Sequence, residues 1–426
     1  MDAVRAYGRR TFASLSIRNY RLYAIGQGLS ACGSWMQSVA QGLLVLRLTG
    51  SGTALGLVIA LQALPVLILG PWGGVVADRF PKRNILFATQ TAGAILGITL
   101  GILVIGDWIR LWMVYAMGML LGFIRVFDQP AQQTFVREMV GTKYLANAIS
   151  LTATQGNMAR VIGPSIAGIL VATVGLGTCF IVDGLSYVVV IAVLSLMRTS
   201  ELHRAPQVSR AKGQLVEGFR YVLSSPVLSN LLLMLAIVGM LTYEFSVILP
   251  LLSEFTFDAG SSGYAALTAA MGAGSVVGGL YTASRRYSTP RKLATAAVCF
   301  GSSVLLVAAA PTLAFAVAAM LVVGFFSINF TSLGNVALQL EARPDMQGRV
   351  MALYTVAFLG TTPIGGPLQG WIGEHAGARV SLVVGGSAAL FAAGLGLAAA
   401  RRADRAKASQ TEQSLALQPP PPAGRG

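Results

Sequence analysis

The amino-acid sequence predicts an all-α membrane protein: twelve transmembrane helices in two pseudo-symmetric six-helix bundles, with both termini cytoplasmic. Three observations lead there: an apolar composition, a succession of span-length apolar windows, and a repetition of short motifs between the two halves. Of 426 residues, 54% are hydrophobic and only 11% are charged, a balance too apolar for a soluble chain of two or three domains. A helix crossing a hydrocarbon core of about 30 Å needs roughly 20 mostly apolar residues.

Applied along the chain, that window gives the first six spans at 20–46, 54–76, 85–105, 111–131, 146–172 and 178–196. The second six fall at 228–252, 264–283, 293–309, 313–340, 350–372 and 380–399. The domain division follows. A cytoplasmic segment at 1–19 precedes an amino-terminal bundle at 20–196, a cytoplasmic linker at 197–226, a carboxy-terminal bundle at 227–400 and a tail at 401–426. The linker carries Arg198, Glu201, His203, Arg204, Arg210, Lys212, Glu217 and Arg220. Within it Leu215, Phe219, Tyr221 and Val222 fit a short amphipathic helix at the membrane surface, with Glu217 and Arg220 toward water, and a solvated linker satisfies the same composition. The tail, with Asp404, Arg405, Lys407 and the run from Pro419 to Pro422, buries no core and is expected to be disordered.

A net charge of +15 raises the question of a nucleic-acid partner, and the placement of the basic residues answers it. With the amino terminus inside, only Arg47, Arg110 and Arg379 fall outside, while Arg125 and Arg160 lie within spans. Basic residues crowd one side, so the charge is a topology signal and no nucleic-acid partner is expected. The early arginines Arg5, Arg9, Arg10 and Arg18 precede a full-length span without a small-residue cleavage site, so no cleaved leader is expected. Cys32, Cys179 and Cys299 sit singly in different spans, without paired or metal-ligand spacing.

The two halves read as degenerate copies. Leu145-Ala-Asn-Ala-Ile-Ser-Leu151 precedes Gly163-Pro164 much as Gln347-Gly-Arg-Val-Met-Ala-Leu353 precedes Gly366-Pro367. Both Gly-Pro pairs predict a bend, because Pro removes a backbone donor and Gly a side chain. Gly279 to Arg286 echoes Gly74 to Arg83, with Ala283 where Asp78 stands in the first copy.

Polar residues then mark candidate sites. Gln27, Ser30, Ser34, Gln37, Ser38 and Gln41 recur at three- and four-residue steps on one face of the first span, and Ser327, Thr331, Asn335 and Gln339 do so on the tenth. Such faces line a hydrated path; the same spacing also serves hydrogen bonds between helices. Ionisable groups within spans are costly and are functional candidates by default: Arg125, Asp128, Arg160, Asp183 and Glu244. Asp128 and Arg125, near one end of helix 4, suit an ion pair latching the cytoplasmic ends. Arg160 needs an acid, carbonyls or an anionic substrate, and Asp183 is a possible but shallower partner. Glu244, beside Tyr243 and Phe245, and Asp183 are the candidate proton carriers; the competing reading is a permanently protonated acid bonded to a neighbouring helix. Trp35, Tyr243 and Phe245 are expected near the cavity. His203 and His375 are the only histidines and fall on opposite sides, which argues against His-based hydrolysis or a His-rich metal site. There is no Gly-x-x-x-x-Gly-Lys-Ser/Thr loop for ATP drive. No enzymatic activity and no cofactor are expected.

Gly74-Val-Val-Ala-Asp78-Arg79-Phe80-Pro81-Lys82-Arg83 resembles the loop between helices 2 and 3 of major facilitator superfamily transporters, Gly-x-x-x-Asp-Arg/Lys-x-Gly-Arg-Arg/Lys, with Pro81 replacing the second Gly. Ala159-Arg-Val-Ile-Gly163-Pro164-Ser-Ile-Ala167-Gly168 is similar to the antiporter motif of that family's helix 5. Phe127-Asp128-Gln129-Pro130-Ala131 and Pro344 to Met351 resemble the drug:proton antiporter branch, which holds enterobactin-type siderophore exporters and macrolide efflux pumps.

The resemblance implies the major facilitator fold and a gate formed by Gly74, Asp78, Arg79, Arg83, Arg125 and Asp128. It implies a monomeric secondary transporter of the cell membrane that exports a medium-sized amphipathic metabolite or drug by proton antiport. Broad multidrug efflux is the close alternative and a lysophospholipid carrier a more distant one. The expected partners are a small-molecule substrate, protons and the lipid bilayer.

Overall fold

The computed structural model describes residues 13–203, 214–283, 290–343, 346–358 and 360–416. A short 3-10 turn at Ala13–Ser16 leads into α1 (Arg18–Thr49), α2 (Gly52–Arg79), α3 (Lys82–Ile105), α4 (Leu111–Val140), α5 (Leu145–Thr173) and α6 (Leu176–Leu196). After the linker come α7 (Gln214–Ser224), α8 (Pro226–Leu241) and α9 (Phe245–Leu251), the last prolonged by a π-turn at Leu252–Thr256. Then follow α10 (Gly260–Ala283), α11 (Pro290–Ala308), α12 (Leu313–Glu341), α13 (Gln347–Phe358), α14 (Thr362–His375) and α15 (Ala378–Ala416). Among the described residues nine helical segments are long and apolar enough to cross a membrane. The other three predicted spans coincide with α1 and α5, which carry many polar residues, and with the interrupted α13–α14 pair.

The helix ends follow local chemistry. Gly50, at φ 64°, closes α1 in the left-handed conformation that glycine adopts without steric cost. Ser51 then caps α2, its Oγ accepting from Ala54 N–H at 3.1 Å. Thr312 and Ser225 cap α12 and α8 in the same way. Four boundaries differ from the sequence reading. Helix α4 runs through Pro130 to Val140, because the partly polar stretch after Ala131 still buries Phe135, Val136 and Met139. The predicted seventh span is broken at 242–244, and the predicted eleventh is interrupted between Phe358 and Thr362, ahead of Gly366-Pro367. Helix α15 continues to Ala416, past the expected boundary at Arg401, through Ala, Arg, Lys, Gln and Glu, all good helix formers. Pro164 lies inside an uninterrupted α5. Ser284, Arg285 and Arg286, residues 1–12 and 417–426, and the side chain of Asp78 lie outside what is described.

Helix α1 packs on α5 and α6, α2 on α4, and α3 on α6; α10 packs on α12, α11 on α12 and α15, and α8 on α15. The halves meet mainly through two contacts, α2 with α14 and α5 with α10, with smaller ones of α9 on α1 and α2 and of α10 on α1. The first is close because it is lined by glycine: a Cβ on Gly52 would sit 2.6 Å from the Gly370 carbonyl oxygen, and one on Gly366 would sit 3.1 Å from that of Gly56. Small residues of this kind let helix backbones approach where lipid offers no hydrophobic drive. Ile68, Trp72, Ile95, Ile169 and Leu280 are exposed on the outer surface, as expected where the solvent is hydrocarbon.

At the face that holds the start of α1, polar ties bind the helix ends. Asn19 Nδ2 donates to the Arg198 carbonyl and its Oδ1 accepts from Arg198 N–H. Arg83 Nε donates to the Leu194 carbonyl at 2.9 Å. Helix α7 leans on the same face through a 2.6 Å ion pair between Glu217 and Arg349 and through Tyr221, whose ring lies under the Arg343 guanidinium. Its Val222 is buried while Phe219 and Leu223 are exposed.

Candidate functional site

A chamber of about 130 Å³ lies where the halves meet. Helix α1 supplies Trp35, Ser38 and Val39, α5 supplies Arg160, the break between α8 and α9 supplies Tyr243, α9 supplies Phe245, Ser246 and Leu249, and α10 supplies Tyr264, Thr268 and Met271. The break explains why adjacent residues can both face inward: Glu244 is the turn residue ahead of α9, its carbonyl accepting from Val247 and Ile248 N–H. Tyr243 and Phe245 meet edge to face with centroids 5.8 Å apart. The Arg160 guanidinium lies 4.9 Å from the Trp35 ring centroid. Its Nε is buried and has no hydrogen-bond partner. Gly163, one turn along α5, brings this helix against Trp35, since a Cβ there would sit 2.6 Å from the Trp35 Cβ.

Of the polar series on α1, Ser38 lines the chamber. Gln27 donates to the Tyr23 hydroxyl, Ser34 is 3.5 Å from the Tyr187 hydroxyl, and Gln41 accepts from Gln62 at 2.8 Å. Ser30 and Gln37 are buried. On α12, Thr331 and Asn335 line a second, open hollow of about 370 Å³ with Ser332, Val336 and Tyr354. Gln339 donates to Asn335, whereas Ser327 is fully buried and bonded to its own helix. Tyr264 and Thr268 are missed by the sequence reading, although Ser261, Tyr264, Thr268, Ser275 and Thr282 recur at helical spacing on this Ala- and Gly-rich helix and are the signal that could have found them.

The membrane-embedded acids are separate from Arg160. Asp183 is fully buried on α6, and neither of its carboxyl oxygens has a hydrogen-bond partner. It faces Gly33 of α1, where a Cβ would sit 2.7 Å from Oδ1. Arg125 is the cation whose charge bears on it. Glu244 is 3% exposed, its Oε1 is unpartnered, and it lies beside Gly365 and Thr362 at the start of α14. Gln369 anchors this junction: its amide donates to the Leu241 carbonyl and its Oε1 accepts from Ser381.

Asp128 accepts from Thr89 Oγ1 at 2.7 Å, Gln90 Nε2 at 3.0 Å and Gln132 Nε2 at 2.6 Å. Neutral donors therefore hold it, while Arg83 turns to the Leu194 carbonyl and the Phe87 ring. Arg79 is exposed at the end of α2, and Gly74 lies one turn before it. An ion pair here joins Lys82 to Glu138, 2.8 Å apart with side chains only 13% and 9% exposed. Glu138 lies beyond the predicted end of the fourth span, which is why the sequence did not bring it to notice. On the opposite face Glu374, ending α14, accepts from Ser51 and Thr53 at the start of α2. The Thr53 hydroxyl, its backbone N–H and Ser51 hold the Glu374 carboxyl below the ordinary carboxylate range. Among the described residues no group of His, Cys, Asp and Glu is arranged to hold a metal ion.

The chain matches the family described as transmembrane secretion effector over residues 9–423. It is 25% identical to the multidrug efflux pump Tap of Mycolicibacterium fortuitum over 82% of this chain and 88% of that protein. It is 27% identical to the enterobactin exporter EntS of Shigella flexneri over 83% and 85%. With the uncharacterized MFS-type transporter YfiS of Bacillus subtilis it shares 25% identity, over 50% of this chain and about half the length of that relative. Its fold is that of a bacterial homologue of the lysosomal transporter Spinster in an inward-facing conformation, TM-score 0.70 at 16% identity over 90% of this chain and 97% of the other. The nucleoside transporter NupG superposes with a TM-score of 0.72 at 12% identity over 90% of this chain and 99% of the other.

Proposed function

The chain belongs to the transmembrane secretion effector family of major facilitator transporters, multi-pass proteins of the cell membrane, and from that premise we propose that it exports a medium-sized, partly apolar metabolite or drug. Transport proceeds by alternating access in exchange for protons. The observation that carries this reading is the chamber between the halves, lined by α1 and α5 of the first and by α9 and α10 of the second. On this reading the chain spans the membrane twelve times, α8–α9 and α13–α14 each counting as one broken span, with the two bundles at 20–196 and 227–400 and both termini cytoplasmic. The face closed by the α2–α14 contact is then the outer one and the conformation is inward-open. Broken helices near the membrane midplane are where carriers of this architecture place their sites.

The proton carriers on this reading are Glu244 and Asp183, two buried carboxyls with oxygens that lack a hydrogen-bond partner, each set against a glycine of a neighbouring helix. Asp78, Arg79, Arg83, Arg125 and Asp128 belong to the inner gate, with Lys82 and Glu138 added to it. The carrier works as a monomer. The likeness to EntS supports a siderophore-like cargo and the likeness to Tap supports broad drug efflux.

The test is mass spectrometry of medium and cell extract from a deletion strain and its complemented parent, both grown with little iron. A metabolite depleted outside and accumulated inside the deletion strain identifies a dedicated exporter. No difference, joined to heightened sensitivity to several unrelated drugs, turns the reading to multidrug efflux; no difference and no sensitivity removes export.

A further inference from the structure

The chamber is small, cationic and aromatic, and these three properties together specify what fits it. Its volume of about 130 Å³ is close to that of an apolar cavity of about 150 Å³ that holds one benzene molecule, and well below the roughly 300–1,000 Å³ of sites that enclose a whole drug-sized ligand. It therefore accommodates one ring of a larger cargo. No Asp or Glu lines it, and Arg160 is its only charged lining residue among those described. A guanidinium stays protonated at any physiological pH, so the charge is permanent.

Arg160 is also incompletely satisfied. One face lies against Trp35, and its buried Nε–H has no acceptor. Among the described residues Arg160 forms no ion pair, and Ser38 and Ser246 form no hydrogen bond through their hydroxyls. A buried donor without an acceptor is costly to the protein, and that cost is removed when a planar oxyanion meets the guanidinium edge in the bidentate geometry it favours. The walls that remain, Trp35, Tyr243 and Phe245, offer ring faces and edges for an aromatic group.

We propose that this chamber is a ring-sized recognition subsite for an aromatic carboxylate, the carboxylate on Arg160 and the ring among Trp35, Tyr243 and Phe245. The proposal rests on the export reading for its physiological meaning and not for its chemistry. It narrows the cargo to molecules ending in an anionic aromatic group and sets the protein against cationic drugs, whose charge Arg160 repels.

An isosteric series decides it. Full-length protein in lipid nanodiscs is titrated with benzoate, benzamide and benzamidinium, and the change in tryptophan fluorescence is followed; a Trp35→Phe variant assigns the signal to the chamber. Benzoate is expected to bind at least tenfold more tightly than either analogue. Arg160→Gln should lose at least tenfold for benzoate and change little for benzamide, which also shows that the variant is folded, while Arg160→Lys should keep part of the preference. Benzamidinium binding as tightly as benzoate, benzoate failing to bind, or Arg160→Gln binding benzoate like the wild type each overturns the assignment. Arg160-dependent binding in nanodiscs combined with no outward movement of any aromatic acid in everted vesicles would overturn the export reading and leave the subsite standing.

Discussion

Glu374, in the last turn of α14, gathers three hydrogen bonds onto a single oxygen from the start of α2: Ser51 Oγ at 2.7 Å, Thr53 N–H at 3.0 Å and Thr53 Oγ1 at 2.5 Å. The two helices lie 321 residues apart in sequence at Thr53, so this carboxylate is a tie between the halves. It sits where the unpaired amide groups of α2 concentrate partial positive charge, the favourable end for an anion. Ser51 works in both directions, accepting from Ala54 N–H while donating to Glu374. Directly below, glycine on both helices leaves no side chain between them.

Glu374→Ala should therefore loosen this face. A single cysteine placed at Ala376 in a cysteine-free background is expected to react several-fold faster with a membrane-impermeant thiol reagent when Glu374 is replaced, and Glu374→Gln should fall between. Equal rates in all three would show that the tie does not hold the face closed.

The same carboxyl sets a pH dependence whose sign can be worked out. Its pKa is lowered in the closed arrangement by the Thr53 hydroxyl, the Thr53 N–H and Ser51, so closure favours the ionised form. The tie is present at and above the ordinary carboxylate range and is lost as pH falls through the lowered value. Thiol labelling at residue 376, divided at each pH by the rate of a free thiol because the thiolate is the reacting form, should stay flat from neutral pH down to the ordinary carboxylate range and rise only below it. A rise near neutral pH would assign the opening to another group.

Glycine in the α2–α14 seam should be as sensitive as the carboxylate above it. Gly56 touches the backbone of Gly366 and Pro367, with no flexible side-chain end to yield. Gly56→Val is expected to cost about 1–3 kcal/mol of this packing and to push the population toward the state open on this face, raising labelling at residue 376 without loss of expression. Unchanged labelling in a folded, membrane-inserted variant would show that the seam relaxes around the added methyls.

How far the sequence could lead differs between fold and site. Helix positions were legible because apolar length is a property of each segment alone, and the shared spacing of Gly163-Pro164 and Gly366-Pro367 exposed the repeat. Partnerships were less so. Asp128 was expected to pair with a cation and instead accepts from Thr89, Gln90 and Gln132, because neutral donors on the adjacent α3 give no charge pattern to read. The break at Glu244 carries no Gly or Pro, and only Pro250, further on, hints at irregularity. Arg160 and the aromatic residues around it were found because a permanent cation in a span stands out on its own.

Lys82 and Glu138 offer a second energetic test, at the face opposite Glu374. Their ion pair is 2.8 Å long and mostly shielded from solvent. Removing one member leaves a nearly buried charge without its partner, which costs about 3–5 kcal/mol where burial is complete. Lys82→Met and Glu138→Leu singly should each lower thermal stability in detergent markedly, while the double variant should recover much of the loss. A double variant as unstable as the sum of the singles would show that the two side chains act independently.

The buried acids carry the last prediction. Asp183 and Glu244 are almost fully excluded from solvent and have unpartnered oxygens, and a carboxyl so placed can take up or release a proton only when a change of conformation brings water to it. Exchange of that proton as access alternates requires a carboxyl, and an amide of the same shape cannot supply it. Asp183→Asn and Glu244→Gln in everted vesicles should therefore be expressed and bind cargo, yet at least one should lose pH-gradient-driven uptake while retaining downhill exchange. The partner of Glu244 sharpens the distinction: Thr362→Val removes the hydroxyl beside Glu244 without removing its proton, and should leave coupling in place while shifting its pH midpoint. If both amide variants still accumulate cargo against its gradient, proton coupling resides elsewhere and the two acids serve helix packing.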